Sequence, residues 1–244
     1  MPRRCPTLTN PDIRIRLARN ADEVRRADRL VFRNYVERGY WRNDETELRR
    51  NEYLRLPTRH VMVVADGAQI IGTLSLILDS PLGIPADSFQ PQAVAALRRD
   101  GAALAEISAF AFAKDRPHQH TLLHFLMAFL ARYSYYYAEV DRLVAVCTPR
   151  HARFYEQYYG FRRVDATARY DYVGVEAQML TLELPQAFAA ACEENGRGDR
   201  DHAFQRFLYL DEHAALRFPT PVRVHRPSVP RRDLSGPRRY AVAV

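Results

Sequence analysis

The stretch from Ala103 to Thr148 constrains this chain more than any other. ALAEISAFAFA, residues 103–113, reads as a strand that is apolar except for Glu106 and Ser108. RLVAVCT, residues 142–148, reads as a second, near-continuous apolar strand. Strands without a polar face are covered on both sides, in the middle of a sheet. Between them lies the strongest helical pattern in the chain, from Pro117 or Thr121 to about Glu139. Its apolar stripe (Leu122, Leu123, Leu126, Phe129, Leu130, Tyr133, Tyr137) recurs at the 3.6-residue period. The YSYYY run at 133–137 reads as packing on that helix face. A chain with this centre is expected to fold as helices layered on a sheet.

The flanks extend the pattern. IRIRLA, residues 13–18, alternates apolar and basic side chains as a strand does. Asn20 then caps a helix running from Ala21 to about Gly39. A short helix is expected around Thr46–Leu54. HVMVVAD and QIIGTLSLILDS follow as two strands joined at Asp66-Gly67, a hairpin signal. Gln92–Asp100 and Arg150–Tyr159 read as helices, with Gly160 stopping the second. Strands at 161–164 and 174–184 complete the series, which is an α/β or α+β fold with a mixed sheet. Residues 185–195 and 201–217 are expected to be helical. At 244 residues the chain is long enough for one large domain, or one domain and an appendage. The expected division is an N-terminal arm (1–11), a catalytic domain (12–196) and a helical, then Pro- and Arg-rich extension (197–244).

Charge is informative by position. Residues 217–240 carry seven arginines against Asp233, whereas the net charge of the whole chain is only +7. A nucleic-acid-binding domain spreads its basic face over the fold itself, so no specific nucleic-acid partner is expected. The tail could instead contact anionic lipid headgroups as a peripheral membrane element. No run reaches the roughly 18 apolar residues of a membrane span. The N-terminus has no apolar stretch after Arg3 and Arg4, unlike a secretory signal. Cys5, Cys147 and Cys192 are odd in number and far apart, which fits a reducing, cytoplasmic setting.

Glu106 is the residue most in need of a reason. An ionised carboxylate in an apolar strand costs several kcal/mol unless it is paired or solvated by a cleft. Burial also raises its pKa toward neutrality, which suits a general base. A pairing arginine or a solvated sheet face would explain it equally well at this level. The loop after the strand leads into the long helix, whose N-terminal amides could cradle a phosphate, with Arg116 placed to add a charged hydrogen bond. That loop, KDRPHQH, lacks glycine, which favours a single phosphate over a wrapped pyrophosphate. His120 and His124 stand four residues apart, but no HExxH pattern and no suitably spaced Cys or carboxylate accompanies them, so no metal is expected.

The segment TPRHARFYEQYYGFRRV, 148–164, resembles the FYxxxGF region of the GCN5-related N-acetyltransferase superfamily, and the likeness extends over about residues 12–184. VERGYW (36–41), IIGTLSLILDSPLGIPAD (70–87), LRRDGAALAEISAFAF (97–112) and PRHARFYEQYYGF (149–161), in this order, are similar to the bacterial long-chain N-acyl amino acid synthases, relatives of the autoinducer synthases. That resemblance implies a fold in which two central parallel strands splay apart and a thioester arm enters between them. It implies transfer of a fatty acyl group to an amino acid amine from acyl-phosphopantetheine on an acyl carrier protein, or from acyl-CoA. Glu106 would be the base and Tyr155 the donor to the leaving thiolate. Ser108, Phe110, Arg116, His120 and Thr121 would hold the donor, and Arg33, Tyr35 and Trp41 the acceptor. Alternatives within the superfamily are an acetyl-CoA-dependent N-acetyltransferase or an enzyme like the acyl-homoserine lactone synthases. Against the latter, the arginine that autoinducer synthases carry three residues after the strand glutamate is Ala109 here.

Overall fold

A computed structural model describes residues 5–42, 44, 52–114, 116, 118–164, 168–170, 175–197 and 203–219. Among the described residues nine strands form the sheet: β1 (Ile13–Leu17), β2 (Arg59–Asp66), β3 (Gln69–Leu78), β4 (Leu104–Phe112), β5 (Arg142–Cys147), β6 (Arg162–Arg163), β7 (Ala168–Tyr170), β8 (Val175–Glu183) and β9 (Leu216–Arg217). Their order is β6-β8-β5-β4-β3-β2-β1-β9, with β7 paired to β8 beyond that path. All neighbours are antiparallel except β4/β5 and β1/β9. The α-helices among the described residues are α1 (Ala21–Glu37), α2 (Pro91–Arg98), α3 (Gln119–Arg132), α4 (Pro149–Tyr159), α5 (Leu184–Arg197) and α6 (Ala203–Tyr209). The mixed sheet flanked by helices is the architecture expected.

Local chemistry explains the main boundaries. Asn20 accepts from the Glu23 N–H at 3.0 Å, capping α1. Glu23 is itself bound by the Arg16 guanidinium at 2.6 and 2.9 Å, tying the helix start to β1. Gly160, at φ 76°, ends α4 in the left-handed region that a side chain would strain.

Three expectations need correcting or narrowing. The long helix stops at Arg132 and continues as a π turn, Tyr133–Tyr137, along which the rings of Phe129, Tyr133 and Tyr137 stack at 5.9 and 5.7 Å. Of the expected helix at 201–217, the described residues are helical over Ala203–Tyr209. Leu216–Arg217 is instead a parallel strand on Ile15 and Arg16, because the open edge of β1 offers backbone groups that a helix would leave unpaired. The expected helix at 46–54 lies outside the described residues up to position 51, and Glu52–Arg55 is a 3₁₀ turn. Most of the basic tail also lies outside them.

The sheet divides two apolar layers. On one face α3 packs Leu122, Phe125, Leu126 and Phe129 against Ala105, Ile107, Leu143, Ala145 and Leu180, and α6 extends this layer with Phe204, Phe207 and Leu208. On the other face α1 buries Leu30 and Val31 against Ala109 and Ala111. Beside them Ile84, Ala86 and Val94 pack on Leu104, Val144 and Met179. No helix among the described residues is long and apolar enough to cross a membrane.

Candidate active site

The central strands part where the chemistry was expected. β4 pairs with β5 only from Leu104↔Arg142 to Ile107↔Ala145. Beyond that point β4 stays with β3, while Val146 and Cys147 of β5 pair only with β8. The break coincides with a bulge in β4: Ser108 opposes Ser75 and Ala111 opposes Thr73, so one residue is extra, and Ala109 adopts φ 49°. Bulges bend a strand and re-aim its side chains. Here the bend opens a wedge whose walls are the ends of β4 and β5.

Glu106 stands at the root of this wedge, registered with Ile77 on one side and Val144 on the other. It is 3% exposed. The Ala86 N–H donates to its Oε2 at 2.6 Å. Burial pushes its carboxyl up to about 8; the Ala86 N–H pulls the other way and the Asp87 charge adds to the rise. Among the described residues no arginine or lysine is paired with it.

Tyrosines surround the carboxyl. Tyr35 of α1, Tyr53 of the 52–55 turn and Tyr170 of β7 each feel its charge. Burial raises the Tyr35 hydroxyl to about 12, and its ring packs edge-on against Trp41 at 4.8 Å. Tyr155 of α4 packs on Tyr159 and Phe161 at 5.7 and 5.4 Å. Burial keeps its hydroxyl firmly protonated, with the nearby Cys147 and Tyr35 acting in the same direction. Cys147, on the other wall, is raised to about 12 by burial, which leaves it protonated and a poor nucleophile.

A cleft of about 280 Å³ opens between the ends of α1 and β4 and the start of α3. Phe110, Phe112 and His120 line it, as do Arg38 and Lys114. Lys114 reaches across to Glu37 at 3.0 Å. The Arg38 charge is felt by both Tyr35 and His151, and Arg150 also acts on His151, so α1 and α4 bring a group of cations together here.

The structure places Tyr35 near Glu106 and Tyr155 near Tyr35, packs Tyr35 on Trp41, keeps Ser108 two residues beyond Glu106 on β4, and lines the cleft with Phe110 and His120. It sets others apart. Arg116 is held by Asp66 at 3.4 Å and Gln69 at 2.5 Å, turned toward the β2–β3 hairpin. Thr121 is half-buried on the first turn of α3 and does not line the cleft. Arg33 lies exposed on α1, its Nε donating to the Arg29 carbonyl at 3.3 Å. His124 is engaged by the Tyr159 hydroxyl at 2.9 Å. Sequence reasoning missed Lys114, Tyr53, Tyr170 and the Ala86 N–H. The only signal for the last was the density of turn formers in DSPLGIPAD.

Comparisons with known proteins agree with this geometry. The profile of the N-acyl amino acid synthase FeeM family matches residues 26–183. FeeM, an N-acyl amino acid synthase from uncultured soil microbes, superposes with a TM-score of 0.65 at 26% identity, covering 72% of this chain and 93% of that one. BjaI, a CoA-dependent acyl-homoserine lactone synthase solved with SAM and isopentyl-CoA, gives 0.58 at 15% identity over 86% and 94%. A spermidine N-acetyltransferase from Vibrio cholerae, solved with CoA and spermine, shares the fold at 0.50, with 14% identity over 72% and 98%. A search of curated protein sequences found no match.

Proposed function

Because this chain belongs to the N-acyl amino acid synthase FeeM family and is an acyltransferase, we propose that it transfers a long-chain fatty acyl group from the phosphopantetheine thioester of an acyl carrier protein to the amine of an amino acid. The observation that carries this reading is Glu106: a carboxyl buried with no counter-cation among the described residues, at the root of an open wedge between two strands.

The thioester arm enters between β4 and β5, and its phosphate rests near the start of α3. Lys114 and Arg38 supply the charge there and His120 a ring nitrogen; Phe110 packs on the arm and Ser108 offers a hydroxyl. Arg116 contributes only by exchanging its Asp66 and Gln69 partners. The acceptor enters over α1, beside Tyr35 and Trp41. Glu106, as carboxylate, takes a proton from the acceptor ammonium, since only the neutral amine attacks. The nitrogen then bonds to the thioester carbon, and a backbone N–H at the β4 bulge holds the oxyanion. Collapse breaks the carbon–sulfur bond as Tyr155 gives its proton to the departing thiolate; the second proton of the attacking nitrogen passes through solvent to the tyrosinate, and Glu106 returns its proton to solvent. The products are an amide and a free thiol. Acyl carrier proteins are acidic, and the exposed Arg150, Arg153 and Arg162 on and beside α4 would steer docking.

The test incubates the purified full chain with palmitoyl-carrier protein, palmitoyl-CoA or acetyl-CoA, each with a mixture of amino acids, and identifies products by mass spectrometry. Long-chain N-acyl amino acids, formed fastest from the carrier, are expected. Products confined to N-acetyl compounds from acetyl-CoA would overturn the reading.

A further inference from the structure

The 3₁₀ turn Pro85–Ser88 delivers the one N–H that Glu106 receives among the described residues, so what holds this turn helps to hold the carboxyl. Two acidic side chains and one arginine do so. Arg98, at the end of α2, donates to Asp79 from Nε at 2.7 Å and from Nη2 at 2.8 Å. The same guanidinium donates to Asp87 from Nη1 and Nη2, both at 2.6 Å. Asp79 follows β3 directly, and its N–H is bonded to the Leu104 carbonyl at 3.0 Å, two residues from Glu106. Asp87 lies inside the turn and also accepts the Ile84 N–H at 2.9 Å. The loop is shaped to admit this clamp. A Cβ on Gly83, at φ 75°, would lie 2.4 Å from the Asp87 carboxylate, so only glycine lets the chain pass there.

We infer that Arg98 is a positioning residue for acyl transfer: by clamping Asp79 to Asp87 it fixes the 85–88 turn so that the Ala86 N–H is held against the Glu106 carboxylate. The inference rests on the reading of Glu106 as the base. A planar guanidinium serves two carboxylates at once in a way an ammonium does not. The groups that face Glu106 are Asp87 on the turn, Tyr35 on α1, Tyr53 on the 52–55 turn and Tyr170 on β7. Of these Asp87 alone is a fixed charge at neutral pH, and Arg98 balances it.

The experiment measures the titration of Glu106 directly in the full chain. Difference infrared spectroscopy follows the protonated-carboxyl band that Glu106→Gln removes, and kcat/KM for the palmitoyl-carrier donor is measured over the same pH range. In Arg98→Met the Glu106 midpoint and the acid limb of kcat/KM are expected to rise together by about one pH unit, the effect of weakening one hydrogen bond to a carboxylate. Arg98→Lys recovers part of the shift. Ala86→Pro, which deletes the N–H and leaves the clamp, reproduces the shift and serves where Arg98→Met does not fold. A folded Arg98→Met or Ala86→Pro protein whose Glu106 titrates at the wild-type midpoint overturns the inference. If Glu106→Gln keeps full turnover, the base reading fails, and the infrared midpoint still reports on the clamp alone.

Discussion

Glu106→Gln should make the protein more stable as the pH rises. A carboxyl whose folded pKa lies above its unfolded value holds its proton more tightly in the folded state. Its contribution is therefore fully present below about 4.5 and is lost as pH climbs to about 8, where the folded carboxyl finally ionises in its buried site. At 1.36 kcal/mol per pH unit, that span corresponds to about 5 kcal/mol at most. Partial solvation of the opened wedge lowers it, giving about 2–5 kcal/mol. Glutamine keeps an oxygen for the Ala86 N–H but cannot ionise, so the variant lacks this pH dependence. The gap between variant and wild type should widen across pH 4.5–8.5, equivalent to roughly 4–20 °C in Tm for a domain of this size. Urea unfolding at closely spaced pH values measures it, since every other titrating group is common to both proteins and cancels. Two stability curves that stay parallel over the whole window would refute the assignment of a raised pKa to Glu106.

Three further outcomes follow from the site. Under the proposed role Glu106 acts as its carboxylate, so kcat/KM should rise about tenfold per pH unit up to an apparent pKa near 8 and then level; a flat profile between pH 6 and 8 would exclude it as the base. Tyr155→Phe removes a hydroxyl that burial keeps protonated, so kcat should fall about 100-fold with donor KM little changed, as single-turnover rates would show. Charge reversal at Arg150 and Arg153 should raise KM for the carrier-bound donor and spare a CoA donor. The difference should shrink as salt rises, because exposed charges are screened.

Much of this fold is legible in local pattern, and the reasons are visible in particular elements. The IRIRLA alternation, Asn20 and the Asp66-Gly67 pair are short-range signals, and each produced the element it announces. Glu106 stood out because a charged side chain breaks an apolar run. What stayed hidden depends on partners far along the chain. The Ala86 N–H reaches Glu106 across twenty residues, and Arg98 joins two aspartates on either side of a loop. β9 forms because β1 leaves an open edge two hundred residues earlier, which the helical periodicity near 210 could not reveal. Arg116 read as a phosphate ligand from its place before a helix, but Asp66 and Gln69 of the hairpin claim its guanidinium.

The proposed acyl transfer turns on proton transfer from the acceptor amine to Glu106 within the wedge. The direct measurement is the single-turnover rate of amide formation from palmitoyl-carrier protein at pH 8, in wild type and in Glu106→Gln. A fall of about 100-fold or more, with donor affinity retained, is the predicted result. A variant that forms the amide at nearly the wild-type rate contradicts it.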